Sequence, residues 1–88
     1  MTKKEIAQVV QKHLQEQEYP EGITVDVQEQ GIQRRRGYWS VPVMPSAEPR
    51  KLYAYFEALA EVEGALEEKD DLTVLFSLVF PEDLPVAV

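Results

Sequence analysis

The chain predicts an α+β fold, a two-layer α-β-β-α-β sandwich with two helices packed on one face of a three-stranded sheet. Three observations carry this expectation: two segments repeat apolar residues at helical spacing, "ITVDVQEQ" alternates from Ile23 onward, and "LTVLFSLVF" is short and β-rich. A chain of 88 residues suits one domain that buries roughly 60–65% of its unfolded surface, without needing metal or disulfide staples. The globular domain is expected over residues 1–80. Residues 81–88, "PEDLPVAV", hold two prolines and read as a tail that is extended or loosely docked.

Thr2 followed by Glu5 fits a capping box, so the first helix is expected to begin almost at once. Its apolar stripe is Ile6, Val9, Val10 and Leu14, and Tyr19-Pro20-Glu21-Gly22 ends it. The next segment puts Ile23, Val25 and Val27 on one face of a strand and Thr24, Asp26 and Gln28 on the other. Gly31 is expected to turn the chain, and "GIQRRRGYWSVPV" then returns as the second arm of an antiparallel hairpin. On that arm Trp39, Val41 and Val43 share one face, opposite Tyr38, Ser40, Pro42 and Met44. Pro42 cannot donate a ladder hydrogen bond, which predicts an edge strand or a bulge.

The second helix is entered through Ser46 as its cap or Pro49 in its first turn. Leu52, Tyr55, Phe56, Leu59, Val62 and Leu66 form its apolar arc. In the last strand Leu72, Val74, Phe76 and Leu78 alternate with Thr73, Leu75, Ser77 and Val79. Both faces are rich in apolar residues, so this strand is expected to be covered on both sides.

A strand, helix, strand passage is a crossover connection, and it leaves the third strand two places. It pairs in parallel with the second strand, or passes it to pair antiparallel with the first. The second arrangement is favoured, a split βαβ with order 2-1-3. One face of the sheet is then open. Tyr38, Ser40, Met44, Leu75 and Val79 on that face, with Arg34 and Arg36 beside them, are the interaction candidates. They point to a protein partner or a second copy, bound through the open face or an exposed strand edge. The competing expectation is that Phe80, Leu84 and Val86 of the tail cover the same face.

Charge is unevenly spread within a net of -7, being -3 over residues 1–30, +4 over 31–55 and -8 over 56–88. Arginines beside Tyr38 and Trp39 resemble a nucleic-acid surface in composition. Strand alternation, however, separates Arg35 from Arg34 and Arg36, and the acidic remainder repels a polyanion. Nucleic acid is therefore the remote alternative. A nearer one is a small ligand-binding or enzymatic domain with a buried polar cluster of His13, Arg35 and Glu63. His13 lies in the apolar stripe of the first helix and Glu63 in the arc of the second, where a carboxylate needs a partner.

Nothing else in the sequence supports catalysis. There is no phosphate loop, nucleophile elbow, metal-ligand spacing or dinucleotide fingerprint, so neither cofactor nor metal is expected. Without cysteine there is no disulfide, thiol nucleophile or thiolate zinc site. No segment has the length of a membrane span or the pattern of a secretory signal, and a cytoplasmic location is the expectation.

Overall fold

A computed structural model of the chain describes residues 1–80. Helix α1 (Lys3–Glu16) opens with the expected capping box: the Glu5 amide donates to Thr2 Oγ1 at 3.1 Å, and the Thr2 amide donates to Glu5 Oε1 at 2.9 Å. The backbone hydrogen bond from Thr2, and then that residue's hydroxyl, hold the Glu5 carboxyl below its ordinary range. Four strands and a second helix follow, namely β1 (Val25–Val27), β2 (Gln33–Arg35), β3 (Tyr38–Pro45), α2 (Leu52–Asp70) and β4 (Val74–Leu78). The fold is α+β, with both helices contributing to one core against one side of the sheet.

The hairpin differs from expectation in where it turns. Gly37, with φ 85°, makes the turn between β2 and β3, because that left-handed backbone favours a residue without Cβ. Gly31 instead ends a 3-10 turn, Glu29–Gly31, that splits the first arm of the hairpin into β1 and β2. Val27 pairs with Val43 and Gln33 with Ser40, so five residues on one arm face two on the other and three loop out. Pro42 explains the interruption. Trp39 N–H bonds the Thr73 carbonyl and Val79 N–H bonds the Val43 carbonyl, so odd residues of β3 direct their polar groups at β4. Pro42 faces the other way, where its carbonyl accepts the Gln28 amide at 2.9 Å and its nitrogen has no proton to offer. The bulge expected from Pro42 is therefore present, but on the partner arm.

The favoured strand order, 2-1-3, is corrected. β3 is the central strand: β1 and β2 pair antiparallel along one side of it, and β4 pairs in parallel along the other, from Trp39 opposite Val74 to Val43 opposite Leu78. The broken first arm offers only two three-residue strands, while the far side of β3 presents one continuous ladder. A parallel strand gains more hydrogen bonds there.

The core joins Ile6, Val10 and Leu14 of α1 to Tyr55, Leu59, Val62 and Leu66 of α2. Beneath them lie Val25, Ile32, Val41, Val43 and Val74 from the sheet side. Complete burial of a side chain of this size is worth about 1.5–3 kcal/mol. Helix α2 starts later than Ser46 or Pro49 would allow, at Leu52, and its N-cap Lys51 makes no side-chain cap bond. Ser46 is spent elsewhere. Its amide donates to the Thr24 carbonyl at 2.8 Å and its hydroxyl accepts the Thr24 amide at 3.0 Å, continuing the β1–β3 ladder.

The expectation that the last strand is covered on both sides is also corrected. Among the described residues β4 pairs with β3 alone, and its outer-face Leu75 is 50% exposed. No helix among the described residues is long and apolar enough to cross a membrane. The tail beyond residue 80, and the question of what it covers, lie outside the described residues.

Candidate protein-interaction edge

An edge strand presents a row of unpaired backbone amides and carbonyls, and a protein must cover them or leave them open to another chain. This sheet has an edge at β1 and another at β4. Each receives one side chain from the helix lying over it.

At the β1 edge the side chain is Gln11 of α1. Its Oε1 accepts the Val27 amide at 2.9 Å while its Nε2 donates to the Val25 carbonyl at 3.2 Å. A carboxamide carries an acceptor and donors together, so one residue occupies the place of a neighbouring strand's peptide group. The same Nε2 also lies 3.4 Å from Asp26 Oδ1. The cavity beside this edge is about 340 Å³ and its wall is mixed, with Gln15, Gln17, Thr24 and Asp26 beside Leu14 and Ile23.

At the β4 edge the side chain is Glu63 of α2, whose Oε2 accepts the Phe76 amide at 2.9 Å. This is the partner that the Glu63 carboxylate required, since it is half-buried on the apolar side of the helix. A carboxylate only accepts, so it satisfies a donor and leaves the strand carbonyls unserved. The surroundings are apolar. Phe56, Leu59, Ala60, Phe76 and Leu78 line a cleft of about 130 Å³ around Glu63. Phe80 continues this surface, its ring centroid 6.1 Å from that of the buried Tyr55. Phe56 is 44% exposed, Leu78 37% and Phe80 40%, and Leu52 and Tyr53 lie one turn before Phe56 on α2 and are more exposed still.

The proposed polar cluster of His13, Arg35 and Glu63 does not form. His13 Nε2 meets Asp70 Oδ2 at 2.6 Å, tying the last turn of α1 to the end of α2. Arg35 projects from β2 on the outer face of the sheet and donates to Gln33 Oε1. Glu63 is held at the β4 edge, and no buried polar or charged residue occurs among the described residues. Register is the cause: the turn at Gly37 sets Arg35 opposite Tyr38, on the face of the sheet away from the helices.

The interaction candidates divide. Arg34 lies opposite Trp39 in the hairpin, its guanidinium carbon 5.2 Å from the indole centroid, and the pair is a local cation–π contact. Arg36 is exposed in the turn. Tyr38, Ser40 and Met44 are half-buried along β3, so the open face they form is less available than their spacing implies. Leu75 belongs to β4 and Val79 directly follows it, beside the apolar edge. Phe56 of the expected apolar arc and Leu78 of the strand expected to be covered are both partly exposed, and Gln11 is not foreseeable, because a glutamine on a helix carries no sequence signal of a strand edge. The signal that was present is the apolar character of β4 on both faces.

Two phenols complete the interior. Tyr19 donates to the Leu14 carbonyl at 2.9 Å, whereas the Tyr55 hydroxyl is buried without a hydrogen-bond partner among the described residues. Burial pushes the Tyr55 hydroxyl up to about 12, and burial reinforced by Tyr55 raises Tyr19 further. Among the described residues no cluster of three or more His, Asp or Glu side chains is arranged to hold a metal ion. Compared with protein-family models, curated proteins and solved structures, the chain matches none.

Proposed function

We propose that this domain is a protein-protein interaction module that receives an extended segment of a partner polypeptide along the free edge of β4. The observation that carries the reading is that the most apolar strand of the sheet is an edge strand. Leu75, Leu78 and the facing Phe56 stay partly in water although the sequence gives β4 an apolar residue at nearly every position. Each such side chain gains up to about 1.5–3 kcal/mol on full burial, which the described residues leave unrealised. An added strand recovers that burial and bonds to the open backbone groups at the same time. The single carboxylate of Glu63 protects the edge against indiscriminate pairing without sealing it.

Hydrogen exchange tests the reading. Strand peptides selected for binding from a display library are expected to slow exchange at the Phe76 and Leu78 amides, and Leu78→Lys is expected to abolish their binding. Protection confined to β1 or to the outer face of β3 would overturn it, as would a selection that yields no binder.

A further inference from the structure

From that reading we infer the chemistry of the partner segment: it is apolar in one half and carries lysine or arginine in the other. The groove between α2 and the β4 edge has two different ends. Phe56 and Leu78 lie together at one end, and Glu63 meets Phe76 further along, so α2 runs opposite in direction to β4. On α2, Phe56, Ala60, Glu63 and Glu67 follow one another at spacings of three or four and therefore share one stripe above the edge. Glu67, exposed, stands one turn beyond Glu63 toward Val74. The groove is thus apolar beside Leu78 and Phe80 and acidic beside Val74 and Phe76.

A strand entering this groove displaces Glu63 from the Phe76 amide. The carboxylate then needs a new partner, and a cation on the incoming strand supplies one at little cost in desolvation because the pair stays at the rim. Charge also argues against the two occupants nearest at hand. Pairing β4 with β4 of a second copy across a two-fold axis brings two Glu63 side chains toward one another near the central Phe76. The chain's own residues 81–88 contain Glu82 and Asp83 and no basic residue. A basic and apolar segment of another protein is the occupant that complements both ends.

The test uses synthetic strand peptides with a common Phe-Val half and either lysines or glutamates in the other half, made in both chain polarities. Binding to the full chain is followed by fluorescence anisotropy. The lysine peptide of one polarity is expected to bind about tenfold more tightly than its glutamate counterpart, with the advantage shrinking as salt rises. Glu67→Lys, at an exposed position, is expected to cut that preference several-fold while leaving the fold unchanged by circular dichroism. Equal binding of both peptides, with the β4 amides still protected, overturns the charge inference and leaves the edge reading intact. No protection at β4 with either peptide overturns both. A dimer in light scattering with its β4 amides protected assigns the edge to a second copy and overturns the inference.

Discussion

The β1 and β4 edges answer the same liability with different chemistry. Gln11 gives β1 both a donor and an acceptor in a mixed polar and apolar setting, whereas Glu63 gives β4 an acceptor only, among exposed aromatic and aliphatic side chains. A neutral amide that copies a peptide group serves a donor and an acceptor of the edge together, as a neighbouring strand would. A carboxylate guards an edge conditionally, since it can be drawn away by a cation. The difference separates an edge that belongs to the fold from one that is free for association.

The largest effect expected from breaking this arrangement lies in the interruption between β1 and β2. A Cβ on Gly31 would come within 2.6 Å of Pro42 Cγ, and a proline ring in a central strand has little room to yield. Gly31→Ala is expected to destabilise the fold by about 2 kcal/mol in urea denaturation. A cost near zero would mean that β1 and β2 adjust freely and that their edge is less fixed than described. Gln11→Ala should cost about 1–2 kcal/mol by the same measurement, since it leaves the Val25 carbonyl and Val27 amide unserved. Gln11→Glu should cost at least as much, because it places a carboxylate against the Val25 carbonyl.

Glu63→Ala is expected to cost less, about 0.5–1 kcal/mol, while clearly accelerating hydrogen exchange at Phe76. If its stability cost equals that of Gln11→Ala, the two edges are equivalent and the comparison fails. The smallest effect is expected at the buried phenol remote from both caps. Tyr55→Phe removes a hydroxyl without a partner among the described residues and should change stability by less than about 1 kcal/mol, in the stabilising direction. Its pH signature is sharper. Both tyrosines titrate higher in the fold than in the unfolded chain, so unfolding releases protons above the ordinary phenol range. Stability should hold below about pH 10 and fall between roughly pH 10 and 12. Tyr55→Phe should make that fall shallower, and an unchanged slope would remove Tyr55 from the account.

The elements that depend on local rules were legible in the sequence. The capping box at Thr2 and Glu5, the stripe Ile6, Val10, Leu14 and the alternation of Val25 with Val27 each need only near neighbours. Topology was less legible, because either strand order satisfies the same alternation. What decides it is Pro42 acting on the opposite arm of the hairpin through the Gln28 amide, a contact between residues fourteen apart in sequence that no local pattern encodes. Glu63 was recognisable as a carboxylate in want of a partner, yet the partner is a backbone amide, which carries no side-chain letter to find. The open edge was present in the sequence as an excess of apolar residues in β4, and was read as evidence of cover.

The meeting of Gly31 with Pro42 also governs alignment along the strand. A hairpin slipped by one residue would set the proline ring against Gln30 or Ile32, each of which carries the Cβ that this spot excludes. The pair works as a detent, and it fixes which residues of the first arm face the helices and which face out.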